Sequence, residues 1–207
     1  MIKPNKRETP LTKDELFERA LAIADADGLE ALTMRRLAAE VGVEAASLYY
    51  HVPNKDALLD GVVVRMRSEM RIPESLPAGW MELMEAIFAE YRRMLAAHPN
   101  LISLAGRRVE TDPDSGLVFL TQVGFSDDDA VELWQSVMAF TIGFSMFSSP
   151  HLATATDDLP PELGARMEQW RDETCTRTLR IILRGYDAQR MHQGRPDGGP
   201  ASGNMYR

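Results

Sequence analysis

Residues 33–51, from Thr33 to His51, read TMRRLAAEVGVEAASLYYH. Leu37, Ala38 and Val41 fall at helical spacing behind Thr33, a residue type suited to cap a helix start, and Gly42 breaks the run. Val43 and Leu48 continue the apolar seam on a second short helix, from about Glu44 to His51. Pro53 ends that helix, because the residue before a proline is pushed out of the helical region. Ala38 and Gly42 are small, which lets the two helices cross closely, as a helix-turn-helix requires. With the seam buried, the second helix turns Ala45, Ala46, Ser47, Tyr49, Tyr50 and His51 outward or toward its N-terminal end. Such a hydroxyl- and aromatic-rich surface has the size to enter a DNA major groove. Arg35, Arg36 and Lys55 flank it, where cations can neutralise phosphates or reach a guanine edge. Taken alone, the pattern fits any helix pair, and Tyr49-Tyr50 fits half-buried packing equally well.

Helical signals extend on both sides. Thr12 followed by Glu15 is a capping-box pattern ahead of a stripe at Leu16, Ala20, Ile23 and Ala24, and Gly28 stops that helix. Asn54 caps a fourth helix carrying Leu58, Leu59, Val62, Val63 and Met66. Ile72 to Pro77, with two prolines, reads as a linker. Trp80, Met84, Ile87, Tyr91, Met94 and His98 then recur at helical spacing, and short elements surround Asn100–Arg107 and Asp114–Val123. Ser126 caps a long helix from about Asp127 to Ser149, with Asp127, Asp128 and Asp129 at the positive end of its dipole. Pro160-Pro161 opens a last helix to roughly Met191. No pair of alternating runs makes a hairpin, so the fold class is all-α.

Composition bounds the partners. The chain has 207 residues, 44% hydrophobic and 26% charged, values of a soluble globular protein. Cys175 is the only cysteine, which rules out an internal disulfide and fits a reducing cytoplasm. The N-terminus has no apolar signal region, and the apolar run Val137–Phe147 is far shorter than the roughly 20 residues that span a bilayer. A cytoplasmic protein with no membrane partner is expected. The net charge of −8 does not suggest DNA, but residues 1–72 carry 11 Lys/Arg against 12 Asp/Glu, so the acidity lies mostly further on. Phosphate binding depends on the local face rather than on the whole.

The run LTKDELFERALAIADADGLEALTMRRLAAEVGVEAASLYYHVPNKDALLDGVVVRM, about residues 11–70, resembles the DNA-binding domain of the tetracycline-repressor (TetR) family. The features that match are DGLEALT, RRLAAEVGV, SLYYHV and NKDALLD. More loosely, Trp80, LAAHPNL, Gly124-Phe125-Ser126, Ala130 and Phe140-Thr141-Ile142-Gly143 follow the order and spacing of that family's tetracycline-repressor-like ligand domain. The resemblance implies an N-terminal three-helix helix-turn-helix domain (1–52, with an arm at 1–10) and a linking helix (53–72). It further implies a ligand-binding and dimerisation domain (73–193) and a tail (194–207) expected to be disordered. It gives DNA-contact roles to Arg35, Ser47, Tyr49, Tyr50, His51 and Lys55, with Tyr49 on a phosphate or stacked along the backbone and Ser47 and Arg35 on base edges. Where the founding repressor has a glutamine and a proline, Ala45 and Ala46 stand, so the operator should differ from the tetracycline operator.

The family's ligand positions fall at Met84, Ile87, Phe88, Tyr91, Leu104, Trp134, Met138 and Phe147. That set is apolar and aromatic and holds no lysine or arginine, which implies a small hydrophobic effector, uncharged or weakly basic. Plain core filling is the competing reading, since core and pocket look alike in sequence. The magnesium-linked histidine and glutamate of the tetracycline repressor fall near Ser103 or Leu104 and at Phe147, so no metal and no cofactor is expected. Val137, Ala139, Phe140, Gly143, Phe144, Ser145, Phe147 and Ser148 leave the long helix apolar on more than one side. Together with Leu163, Met167, Trp170, Leu179, Ile182, Leu183 and Tyr186 of the last helix, it is expected to pair with a second copy as a four-helix interface. The function implied is a repressor that binds a palindromic operator as a homodimer and is released by its effector. Activation by the same architecture is the alternative, and a non-regulatory helical enzyme a more remote one. His51, His98, His151 and His192 are scattered, with no HExxH, no cysteine pair and no phosphate loop.

Overall fold

The computed structural model describes residues 10–71, 79–109, 115–149, 160–163, 166 and 171–193. Among these, every regular element is a helix. Thr12 opens α1 (Lys13–Asp27) by accepting the Glu15 N–H at 3.2 Å, and Thr33 opens α2 (Met34–Glu40) by accepting that of Arg36 at 3.1 Å. A 3-10 turn, Leu29–Ala31, joins them. The end of α2 is a Schellman turn. Gly42 sits at φ +70°, its N–H bonds to Ala39 O at 3.3 Å, and the Val43 N–H bonds to Ala38 O at 3.0 Å. Only glycine takes that backbone cheaply, so Gly42 sets the angle at which the chain leaves α2.

α3 (Ala45–Leu48) is a single turn, shorter than the Glu44–His51 helix the sequence suggests. The N–H groups of His51 and Val52 both return to Leu48 O at 2.9 Å. Val52 then leaves the helix ahead of Pro53 and is buried, so the chain folds back beneath Leu48 instead of extending α3. Asn54 caps α4 (Lys55–Arg67) through the Ala57 N–H at 2.8 Å. α4 crosses α1 closely at Gly61, where a Cβ would stand 2.0 Å from the Phe17 ring. Leu16, Leu37, Leu48, Leu58 and Val62 fill the core of this N-terminal bundle. Each buried side chain of that size contributes about 1.5–3 kcal/mol.

The second bundle holds α5 (Trp80–Ala97), a 3-10 segment (Pro99–Leu104), α6 (Ser115–Gln122), α7 (Asp127–Phe147) and α8 (Arg171–Gln193). α7 packs on α5, α6 and α8. Ser126 caps it through the Asp129 N–H, with Asp127, Asp128 and Asp129 in the first turn. Arg180 ties α8 to Glu85 of α5 at 2.8 Å, and the Tyr186 hydroxyl meets Ser136 of α7 at 3.1 Å. At 21 residues α7 is, by length and composition alone, long enough to cross a membrane, unlike its apolar end Val137–Phe147. It packs within the bundle through Ala130, Leu133, Val137, Thr141 and Ser145.

Four residues expected at a subunit interface, Val137, Ser145, Leu179 and Leu183, are buried within the chain itself. Leu179 and Leu183 are buried because the face of α8 that they share turns toward α5 and α7. Residues 1–9 of the expected arm, the linker Ile72–Pro77, His151, Met167, Trp170 and the tail 194–207 lie outside the described residues.

Candidate nucleic-acid interface and ligand cavity

Five of the six residues expected to touch DNA lie on the surface of the N-terminal bundle. Arg35, Ser47, Tyr49, Tyr50 and Lys55 are exposed, Tyr50 at 92%, and the sixth, His51, is half-buried beside them. A ring so exposed gains nothing from the chain's own packing. Leu48 and Val52 anchor the same turn from below, each almost fully buried, so the tyrosines project from a fixed base. The neighbouring arginines differ in use. Arg36 is hydrogen-bonded to Asp27 at the end of α1, whereas Arg35 and Lys55 make no hydrogen bond or ion pair among the described residues. Their donors are therefore available for phosphate or a base edge. Ala45 corrects the expected outward set. It is half-buried against the core, because α3 is one turn long and its first residue faces α2.

A cavity of about 560 Å³ opens between α4, α5, α6, α7 and the segment after the 3-10 turn, within the size range of small-molecule sites. Ile87, Phe88, Tyr91, Trp134 and Met138 line it, as expected. Met84 and Leu104 instead are sealed in the core, and Phe147 is 77% exposed. The reason at Phe147 is helical phase. It lies nine residues, roughly two and a half turns, beyond Met138, so it leaves α7 on the opposite side. Phe88 and Trp134 meet edge to face at 5.5 Å, and α6 presses on Trp134 at Gly116, where a Cβ would stand 2.3 Å from the indole. The Tyr91 hydroxyl donates to Ala105 O at 2.6 Å, so it fixes the cavity wall before it can orient a ligand.

The sequence did not point to three cations at this cavity: Arg67, Arg107 and Arg108 also line it. Arg67 donates Nη2 to the carbonyls of Arg107 and Ala105, at 2.9 and 3.4 Å. Arg107 donates Nε to Asp60 Oδ1 at 2.6 Å and Nη2 to Asp56 O and Oδ1 at 3.1 and 3.3 Å. The Asp60 carboxylate holds the Arg107 guanidinium above its ordinary range. The pair Arg107-Arg108 is visible in the sequence, but its partners stand some fifty positions earlier on α4, where no local pattern announces them. Thus the segment 105–107 is both a wall of the cavity and a strap on α4. Among the described residues, no three His, Cys, Asp or Glu side chains form a metal-ligand group.

Comparison with known proteins agrees with this layout. Residues 16–62 match the model of bacterial regulatory proteins of the tetR family, and residues 72–178 match the tetracyclin repressor-like C-terminal domain. An HTH-type transcriptional regulator of Saccharopolyspora erythraea is 33% identical over 147 residues, 68% of this chain and 62% of that protein. The chain thus spans less than two thirds of that relative's length. Tetracycline repressor protein class D of Escherichia coli is 29% identical over 198 residues, covering 86% of this chain and 90% of that protein. The crystal structure of ActR, a TetR family protein of Streptomyces coelicolor, in complex with actinorhodin superposes with a TM-score of 0.69 at 30% identity. It covers 87% of this chain and 97% of that one. The chain belongs to the TetR family of bacterial regulatory proteins and carries a tetracycline-repressor-like C-terminal domain.

Proposed function

We propose that the chain is a homodimeric repressor that binds a palindromic operator and is released by a small, mostly apolar molecule. The observation that carries this reading is the strap: the wall of the cavity is hydrogen-bonded to α4, the helix that packs on α1 beneath the DNA-facing turn. In this reading the N-terminal domain, residues 1–52, reads one half-site through Arg35, Ser47, Tyr49, Tyr50, His51 and Lys55. Residues 53–72 link it to the ligand and dimerisation domain, 73–193. A ligand that displaces segment 105–107 moves Arg67, Asp56 and Asp60, and hence α4 and the separation of the two reading heads. It does so only as far as it binds the released arrangement more tightly.

Helix surface left uncovered supports the dimer. Phe147 and Ile181 are 77% and 63% exposed on α7 and α8. Gly143 and Gly185 have open space where a Cβ would stand. A glycine inside a helix costs about 1 kcal/mol relative to alanine, and nothing among the described residues accounts for these two. Close approach of a second copy does.

For the ligand, Ile87, Phe88, Trp134 and Met138 offer an aromatic and pliable bed. Among the described residues the Trp134 indole N–H has no partner within the chain. The guanidinium side of the cavity favours a hydrogen-bond acceptor or an acidic edge over a basic one. Ser103 or Leu104 and Phe147 stand where the tetracycline repressor has its magnesium-linked histidine and glutamate, which supports binding without magnesium. Titrating the protein bound to its flanking DNA with a panel of lipophilic compounds, with magnesium or with a chelator, tests this. Release that persists in the chelator is expected. Release that requires magnesium would contradict the metal-free reading, and DNA retention against the whole panel would favour a cavity that serves only the core.

A further inference from the structure

His98 ends α5 where the two bundles meet, and only 6% of it is exposed. Each of its ring nitrogens faces a carboxylate. Nδ1 lies 2.8 Å from Asp25 Oδ2 and 3.0 Å from Oδ1, on α1. Nε2 lies 3.0 Å from Glu69 Oε2, just past the end of α4. An ionised carboxylate only accepts, so both nitrogens must donate for both bonds to form, and an imidazole ring that donates twice is the cation. The surroundings keep the carboxylates in place. Arg65 of α4 pairs with Glu69 at 3.2 Å, and Arg93 of α5 donates to Glu69 O at 2.8 Å and to Glu90 at 2.9 Å. From the 3-10 segment Asn100 donates Nδ2 to Asp25 O at 2.8 Å. The C-terminal bundle therefore grips α1 directly, separately from the strap on α4.

We propose that His98 is the positioning residue of this joint: as a cation it clamps α1 and the end of α4 to the ligand domain at once, and losing a ring proton frees one carboxylate and loosens the reading head. The inference rests on the DNA-binding function proposed above. Two heads held at a fixed separation meet both half-sites without further ordering, so a loosened head costs operator affinity. The ring that donates to both carboxylates is the cation, so affinity should fall as pH rises and the ring loses a proton.

Operator affinity of the full chain, measured from about pH 6 to about pH 8.5 beside His98→Gln, tests this, with folding followed by circular dichroism at each pH. Every other ionisable group, His51 beside the exposed tyrosines included, is common to both proteins, so the decisive quantity is the difference between their profiles. The wild type should lose roughly tenfold more affinity across the range than His98→Gln, the scale of one charge-assisted hydrogen bond. Parallel profiles would overturn the clamp while leaving the repressor reading intact. No operator affinity at any pH would overturn both. Should His98→Gln fail to fold, Asp25→Asn and Glu69→Gln each leave the ring one carboxylate, and each should flatten the profile. Wild-type profiles in both would overturn the proposal.

Discussion

The two bundles handle apolar surface in opposite ways. Between residues 10 and 67 the large apolar side chains left exposed are Tyr49, Tyr50 and, on α4, Val64, and Leu16, Leu37, Leu48 and Leu58 close the core completely. The C-terminal bundle instead surrounds a cavity of about 560 Å³ and leaves Val131, Met146, Phe147, Ile181 and Met191 in solvent. The N-terminal bundle is complete as a folded object, and what it lacks is a polar partner for two tyrosines and unpaired cations. The described residues of the C-terminal bundle leave apolar surface open both inside it and on its outer face. The difference supports the three partners proposed above by chemistry: a polyanion for the first bundle, and a small molecule and a second copy for the other.

The contrast is sharpest under matched substitutions. Leu48→Ala removes a fully buried side chain from the closed core and should cost about 2–5 kcal/mol, with DNA binding lost as the turn comes apart. Met138→Ala, at the wall of an existing void, should cost only about 1 kcal/mol, because the cavity penalty is already present. Thermal or denaturant unfolding compares them, and equal losses would mean that the cavity is filled in solution. Phe147→Glu with Ile181→Glu places charge on the uncovered face. Helix content should be kept while the sedimenting mass falls to that of one chain, and a dimer that survives both changes would remove the C-terminal side of the contrast.

Smaller effects distinguish the tasks of the exposed head residues. Arg35→Ala should cost about 1–3 kcal/mol at particular base pairs, whereas Lys55→Ala should weaken all sequences alike and lower the salt slope by about one. Binding to a set of single-base operator variants across salt separates the two. Least of all should follow from Glu90→Gln. A hydrogen bond from Arg93, then one from the Arg71 N–H, holds the Glu90 carboxyl below the usual carboxylate range. Its contribution is therefore present above that range and disappears as pH falls through the lowered value. Glu90 is solvent-screened, so thermal midpoints of variant and wild type should lie close at neutral pH and converge in acid. A gap that widens in acid would reverse the assignment.

Local chemistry was legible in the sequence and long-range geometry was not. Thr12, Thr33, Asn54 and Ser126 each cap the helix they precede, and Gly42 turns the chain as its type demands, since caps and turns act within a few residues. The length of α3 was overestimated because periodicity continues through Tyr49-Tyr50-His51 while the buried Val52 and Pro53 draw the backbone away. In the C-terminal bundle the stripe Met84, Ile87, Tyr91, Met94 marks the inward face of α5. It could not tell a residue bordering a void from one sealed in the core, because both are apolar at the same spacing. Leu179 and Leu183 failed for the same reason. The Arg107–Asp60 strap and the Asp25–His98–Glu69 joint join residues dozens of positions apart, and single polar residues carry no period from which to infer a partner.

The central claim, a sequence-selective dimer on DNA, is tested most directly by footprinting and sedimentation of the full chain on the DNA flanking its coding sequence, repeated at several salt concentrations. The account predicts two copies per site and two protected half-sites with centres about one helical turn, or a small multiple of it, apart. It also predicts an affinity that falls steeply as salt rises. Binding equally tight to unrelated duplexes, or none at low salt, would contradict it.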